Sequence, residues 1–193
     1  MFAALLDTCV LWPSRQRDFL LSLAIEGLYR PLWSGAILEE LEYEEARKLV
    51  ERGFAPEGAD RRARNLILQM RQAFNDAEVV GWEALVGSYG LPDPDDEHVV
   101  AAAAFGHAGA LVTHNIKDFP EAKMPNEVQV VTPSTFASNT VALSPTRALV
   151  ALEQMASRSG ANGPKMDVRA ILAILKERYK MHDAVGLIWP LLP

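Results

Sequence analysis

The sequence lacks the features that would mark a secreted, disulfide-bonded or membrane-embedded protein. Its 193 residues include a single cysteine, Cys9, so no disulfide bond can form within the chain. It has no run of about 18 uncharged apolar residues, the length needed to cross a membrane. The N-terminus has no basic segment of the kind that opens a signal peptide, and it reaches Asp7 after five apolar residues. These absences predict a cytoplasmic protein with no membrane partner.

A basic excess, the usual sign of nucleic-acid binding, is also missing, because the net charge is −6. The charges are unevenly distributed. Residues 1–139 contain 12 basic and 21 acidic side chains, whereas residues 140–193 contain seven and four. An acidic body fits a protein that binds a metal ion which then meets phosphate, and it fits equally a protein with no nucleic-acid partner. Charge alone therefore does not decide the class of partner.

Apolar residues are abundant, at 49%, which is enough for a sizeable core and argues against disorder. Continuous apolar runs predict buried strands at 2–6, 31–33, 78–82, 110–113 and 128–131. Helical spacing of apolar residues predicts helices at 15–29, 35–52, 59–75 and 95–107, the last of them ended by Gly109. This alternation predicts an α/β fold with a parallel sheet and helices on both faces.

The end of the chain predicts helices only. Residues 132–143 are expected to begin with a helical turn and then to link outward. Helices are predicted at about 145–157, 165–179 and 181–189, and a turn at 159–164 separates the first two. We therefore expect two domains, an α/β domain over 1–137 and a C-terminal helical extension over 138–193.

Acidic side chains occur where the predicted strands end. Asp7 directly follows the first strand, and Asp118 lies five residues past Thr113, where a later strand ends. Ligands of open parallel sheets bind at the carboxyl ends of the strands. A buried carboxylate needs a partner, and several carboxylates at one place repel each other unless a cation joins them. Carboxylate oxygens suit Mg²⁺ or Mn²⁺, whereas one cysteine and four scattered histidines argue against a zinc site.

Two other groups of acids have a plainer interpretation. Asp93, Asp95 and Asp96 stand at the start of an alanine-rich helix, where the helix dipole favours negative charge by roughly 0.3–1 kcal/mol each. Glu40 lies in a run of glutamates, most of which must form a solvated helix face. Neither pattern alone distinguishes a metal ligand from a surface charge.

Several segments, taken in order, resemble the PIN-domain nucleases. They are residues 5–8, 34–41, 70–79, 93–99 and 111–120. The similarity covers roughly residues 1–137 and is closest to the VapC-type toxins of bacterial toxin–antitoxin modules, in the branch with a C-terminal helical extension. It implies a three-layer α/β/α fold with an acidic pocket.

The resemblance implies a metal-dependent endoribonuclease that uses Mg²⁺, with Mn²⁺ as a substitute. By motif position, the metal-binding and catalytic residues would be Asp7, Glu40, Asp96 and Asp118. The supporting residues would be Asn115, Asp93 and Thr113. Many such proteins have an aspartate where this chain has Asn115, so the number of metal ions, one or two, stays open.

The same resemblance implies the partners. The RNA substrate would be transfer or ribosomal RNA, and a small antitoxin would place an Arg or Lys in the acidic pocket. Toxins of this kind commonly form homodimers. Phosphate contacts are expected from Lys117, Arg61, Arg62 and Arg64, although a solvated surface explains these four side chains equally well.

Other interpretations remain at this point. Cys9 and Arg15 have the spacing of the tyrosine-phosphatase signature, but that loop needs small residues and free N–H groups, and here it contains Trp12 and Pro13. A haloacid-dehalogenase-type phosphatase would need a second aspartate at the position of Cys9. A non-catalytic PIN-like module that binds RNA or protein fits Asn115 and the acidic charge.

Overall fold

The computed structural model describes residues 1–160 and 164–192, in which five strands alternate with helices. The strands are β1 (Ala3–Leu6), β2 (Arg30–Ser34), β3 (Glu78–Val79), β4 (Ala110–Val112) and β5 (Gln129–Val131). The helices are α1 (Thr8–Leu11), α2 (Ser14–Ile25), α3 (Gly35–Glu51), α4 (Pro56–Ala73), α5 (Glu97–Phe105), α6 (Pro133–Leu143), α7 (Pro145–Arg158), α8 (Val168–Glu177) and α9 (His182–Ile188).

The strands form one parallel sheet, flanked by helices, in the order β3-β2-β1-β4-β5. Every residue of β1 and β4 is buried, and Leu5 lies opposite Leu111 in the ladder that joins them. Continuous apolar runs suit such central strands because both faces of the sheet are covered. The predicted α/β fold is therefore confirmed. Asp7 and Thr113 each directly follow one of these paired strands, so they emerge at the same edge of the sheet.

Helix α3 begins as the sequence predicts. The Ser34 side chain accepts a hydrogen bond from the Ile37 backbone N–H at 3.2 Å, which satisfies one of the free donors of the first turn. Ile37, Leu38 and Leu41 are buried at helical spacing, and the helix packs against α4. Glu40 lies between the buried residues Leu38 and Leu41. Packing of the buried face of α3 therefore fixes the position of Glu40.

Helix α5 is shorter than the predicted 95–107. Pro94–Asp96 forms a 3-10 turn, so the α-helix begins only at Glu97. It ends at Phe105, and His107 adopts a positive φ of 52°, the left-handed conformation that commonly closes a helix. A Cβ on Gly106 would lie 2.7 Å from Val79 Cγ2, so close packing requires glycine there. The expectation that Gly109 ends this helix was wrong.

The prediction for residues 132–143 was also wrong in part, because helix α6 continues through Leu143 and does not give way to a linker after one turn. Thr132 caps α6 by accepting from the Thr135 N–H at 3.1 Å, and Pro133 occupies the first helical position, where its missing N–H costs nothing. Phe136 is buried and meets the Tyr29 ring edge-on at 4.8 Å. Packing of this kind stabilises the whole helix.

The chain clusters into two compact units. One comprises Met1, residues 13–30 and residues 131–193, and it contains α2 and α6–α9; the other comprises residues 2–12 and 31–130, and it contains the other helices and most of the sheet. The domain limits 137 and 138 stay a prediction. Residues 161–163 of the predicted turn lie outside the described residues. No helix within residues 1–160 and 164–192 is both long and apolar enough to cross a membrane.

A buried carboxylate organises the loop before α5. Glu97 is only 3% exposed, and its two oxygens accept hydrogen bonds from the backbone N–H groups of Gly87, Tyr89 and Leu91 at 3.0–3.2 Å. Burial acts to raise the pKa of Glu97, but these backbone donors prevail and the pKa is lowered. Glu97 therefore fixes the loop that leads directly to Asp93 and Asp96.

Replacing Glu97 with Gln is expected to lower the free energy of unfolding by about 2 kcal/mol, because the amide NH₂ would face backbone donors and leave at least one unsatisfied. Urea denaturation at pH 7 measures the change. Glu83→Gln, on an exposed side chain of the same loop, is the matched control and should unfold like the wild type. Equal stability of the two variants would contradict the structural role of Glu97.

Candidate active site

Asp7 is the most enclosed acidic residue of the candidate site, with only 8% of its surface exposed. Its Oδ2 accepts a hydrogen bond from the Thr113 hydroxyl at 2.6 Å and a second from the Cys9 thiol at 3.1 Å. No side chain among the residues described donates to the other oxygen, Oδ1. The carboxylate is therefore held in one orientation by one oxygen, while the other is left for a further partner.

Thr113 connects Asp7 to the turn that carries Asp118. While its hydroxyl donates to Asp7, the same oxygen accepts from the Asn115 backbone N–H at 3.0 Å. The Asn115 carbonyl in turn accepts from the Asp118 N–H at 3.0 Å, and residues Ile116–Asp118 form a 3-10 turn. The structure therefore contains a hydrogen bond through which Thr113 can support an acidic residue.

Asp96 lies within the electrostatic reach of three other carboxylates. Partial burial, followed by the negative charges of Asp7, Asp93 and Asp118, raises the pKa of Asp96 from 3.8 to about 6. Asp93 is exposed, and its Oδ1 accepts from the Asp95 N–H at 3.0 Å, so it also shapes the turn before α5. Electrostatic coupling thus links four acids that come from three separate stretches of sequence.

Glu40 reaches the same region through two neighbours. Its Oε2 accepts from the Thr8 hydroxyl at 2.6 Å, and its Oε1 lies 3.3 Å from His98 Nε2. The pKa of Glu40 is lowered, first by the hydrogen bond from His98 and also by that from Thr8, against the opposing effect of partial burial. Thr8 follows Asp7 and His98 follows Asp96 by two residues, so both partners of Glu40 belong to segments that carry the other acids.

The family model of the PIN domain matches residues 3–117, more than half of the chain. The chain belongs to the PIN-domain family. Neither the search of curated proteins nor the search of solved structures gave a match. PIN domains are generally metal-dependent nucleases, and Mg²⁺ or Mn²⁺ is their usual metal.

The acids of this PIN domain fit a hydrated divalent cation. Among the described residues, no three His, Cys, Asp or Glu side chains already stand close enough together to form a metal cage. Mg²⁺, however, usually keeps several waters and takes only one or two carboxylates. A hydrated cation between the two residues would bind the open Oδ1 of Asp7. It would also relieve the repulsion from the other carboxylates, which adds to partial burial in raising the pKa of Asp96.

The basic residues singled out in the sequence are not joined to the acids. Arg61, Arg62 and Arg64 are exposed on α4, and the Arg62 guanidinium lies 4.5 Å from the centre of the Phe54 ring. Lys117 is exposed in the same turn as Asp118. No ion pair links any of these four to the acidic residues within the described part of the chain.

The geometry opposes a cysteine-based phosphatase. Cys9 lies inside α1, not in a loop of free N–H groups, and its sulfur accepts from the His114 N–H at 3.2 Å. Burial, followed by the charge of Asp7, raises the pKa of Cys9 to about 12, so the thiolate nucleophile is absent at neutral pH. Arg15 lies 3.9 Å from Asp18 and takes part in a surface ion pair.

Sequence reasoning did not assign roles to Cys9, Thr8 or His98 in this PIN domain. All three donate hydrogen bonds to acidic residues of the site. Thr8 and Cys9 directly follow Asp7, and that adjacency was the only available signal. For His98 the sequence offered no signal, because its partner Glu40 is 58 residues away.

Replacing Asp96 with Asn is expected to raise the melting temperature of the metal-free protein at pH 7.5. The raised folded-state pKa of Asp96, about 6 against 3.8, means that its ionisation in the folded protein destabilises the wild type as pH rises from about 4 through 6. The advantage of the variant should therefore be largest above pH 6 and shrink towards pH 4.

Thermal melts in EDTA across this pH range measure the effect. Asp95→Asn is the matched control, because Asp95 is an exposed neighbour that influences none of the shifted groups. An Asp96→Asn variant that melts below the wild type at pH 7.5 would contradict the repulsion described here.

Proposed function

We propose that this protein is a divalent-metal-dependent endoribonuclease in which Asp7, Asp96 and Asp118 hold the cation and Glu40 completes the acidic site. One observation supports it above all. Asp7 is buried at the end of a central strand, it is fixed through one oxygen by Thr113 and Cys9, and its other oxygen is open. An oxygen that has no protein donor at that depth is available to water or to a cation.

The chain's own residues would divide the work as follows. Asp7 and Asp96, assisted by Asp118, would bind the cation, and Glu40 would orient a water molecule or complete a second cation site. When bound, a divalent cation supplies Lewis-acid activation of water and neutralises charge on the phosphodiester. Thr113 holds Asp7 in place, and a fixed carboxylate limits the reorganisation needed as charge develops on phosphate.

Asn115 bears on the number of metal ions. Its backbone is fixed between Thr113 and Asp118, so its side chain extends from an ordered turn. An amide carbonyl is a neutral oxygen ligand and contributes less to cation affinity than a carboxylate. We therefore propose one tightly held cation, with Asn115 and Asp93 in supporting roles.

The RNA is proposed to be transfer or ribosomal RNA, on the strength of the motif resemblance. Lys117 stands in the same turn as Asp118 and is the basic residue best placed to meet a phosphate beside the acids. Arg61, Arg62 and Arg64 offer a second group of cations, exposed on α4. Phosphate contacts of this kind give affinity without sequence preference, so specificity must come from elsewhere.

The proposal predicts that the purified protein cleaves RNA only with Mg²⁺ or Mn²⁺. Asp7→Asn and Asp96→Asn should each lower the rate by at least about 100-fold, more than the roughly tenfold to 100-fold typical of losing a group that only supports a ligand. Cleavage of total transfer and ribosomal RNA, with and without EDTA, provides the measurement. Asp95→Asn, purified in the same way, should retain the wild-type rate.

Equal residual cleavage by wild type and by both aspartate variants would identify a contaminant and refute the assignment. Binding of RNA without cleavage, under all metal conditions, would instead establish a non-catalytic PIN domain.

We further propose that the protein is the toxin of a toxin–antitoxin module, acting in the cytoplasm as a homodimer. The resemblance of the motifs to VapC-type toxins supports this role. The acidic site is suited to inhibition by an Arg or Lys of a small antitoxin, since a charge-assisted pair would form there.

Induced expression of the wild-type chain in a bacterial host is expected to arrest growth, because cleavage of transfer or ribosomal RNA stops translation. Asp7→Asn at matched expression should leave growth unaffected, and Asp95→Asn should arrest it. Optical density and polysome profiles record the outcome. Normal growth with a soluble, RNA-cleaving wild-type protein would remove the toxin role and leave the nuclease assignment intact.

A further inference from the structure

The Glu40 carboxylate is held at both oxygens by side chains from two different helices. Thr8, at the start of α1, donates to Oε2 at 2.6 Å, and His98, the second residue of α5, has Nε2 3.3 Å from Oε1. The Thr8 hydroxyl also lies 3.4 Å from the Ile37 carbonyl, one turn earlier on α3. Glu40 is thus tied to the two segments that carry Asp7 and Asp96.

The surroundings of His98 leave its ring one polar contact. The side chain is only 16% exposed, and its ring lies 6.0 Å from that of Trp82. Nδ1 is buried and has no hydrogen-bond partner among the residues described. In the neutral ring the proton therefore belongs on Nε2, the nitrogen that faces Glu40. A histidine enclosed in this way presents a donor in one direction.

Glu40 needs such help because its own side chain is 52% exposed. A free glutamate on a helix surface samples several rotamers, and fixing them costs conformational entropy. Two donors from neighbouring helices remove that freedom before any ligand arrives. Each carboxylate oxygen keeps a lone pair after accepting one hydrogen bond, so the held group still has acceptor capacity.

We propose that His98 is a positioning residue, which acts with Thr8 to orient the Glu40 carboxylate towards a divalent cation or its bound water. This inference rests on the proposed metal-dependent function and adds to it a residue that acts on cation binding through Glu40. A merely structural bridge between α3 and α5 would predict instead that loss of His98 changes stability and leaves cation affinity unchanged.

The first test follows the Glu40 side chain without metal. Side-chain scalar couplings from NMR should show one rotamer in the wild type, averaging in His98→Leu, and one rotamer again in His98→Gln, whose amide N–H replaces the Nε2 donor. His182→Leu, on an exposed histidine of α9, is the control and should match the wild type. A single Glu40 rotamer in His98→Leu would overturn the inference.

The second test measures Mn²⁺ affinity by electron paramagnetic resonance. His98→Leu should weaken binding about tenfold, as is typical when a group that orients a ligand is lost, while His98→Gln and His182→Leu should stay close to the wild type. Because His98 acts through Glu40, His98→Leu should have no further effect in the Glu40→Gln background. An equal tenfold loss in that background, or none in either, would overturn the inference.

Asp7→Asn and Asp96→Asn, measured beside these variants, distinguish a failure of the proposed function from a failure of the proposed role of His98. If both bind Mn²⁺ as well as the wild type, the proposed function fails and the inference fails with it. If both lose Mn²⁺ while His98→Leu does not, only the role of His98 is refuted.

Discussion

The parallel pairing of β1 with β4 at the centre of the sheet is the constraint on which the site depends. It brings Asp7 and Thr113, 106 residues apart, to within 2.6 Å of each other. A register shift of one residue would send these side chains to opposite faces of the sheet, so the buried ladder of Leu5 and Leu111 fixes more than the core. The apolar residues that stabilise the sheet also determine the orientation of the carboxylate.

The neighbouring acidic residues Glu97 and Asp96 have opposite roles in the structure. Glu97 is buried, and its charge is stabilised by backbone N–H groups, so it holds the preceding loop together. Asp96, one residue earlier, is partly buried and lies near other carboxylates, and both effects raise its pKa. The stability that Glu97 contributes helps to offset the repulsion around Asp96. Such a division, in which rigid parts support a destabilised site, is common in proteins that use charge for function.

The net negative charge of the chain is consistent with a site made of carboxylates. Carboxylates repel a polyanion such as RNA unless a cation lies between them. In the proposed function the cation would therefore activate water and also provide the main electrostatic link between the acidic site and the substrate. Residues 140–193 have seven basic against four acidic side chains, the opposite balance to residues 1–139.

The sequence by itself determined the alternation of strands and helices, because apolar periodicity and caps such as Ser34 act over a few residues. It also placed Asp7 at the end of a buried strand, and the motif resemblance predicted the family. It misjudged the end of α5, where Gly106 packs closely against Val79, and the length of α6, in which Phe136, Thr140 and Val141 are buried.

Only the tertiary structure decided which side chain donates to which acid. The hydrogen bonds from Thr113 to Asp7 and from His98 to Glu40 join residues 106 and 58 positions apart. Such pairs leave no periodic signal in the sequence, because their geometry arises from strand register and helix packing and not from local propensity.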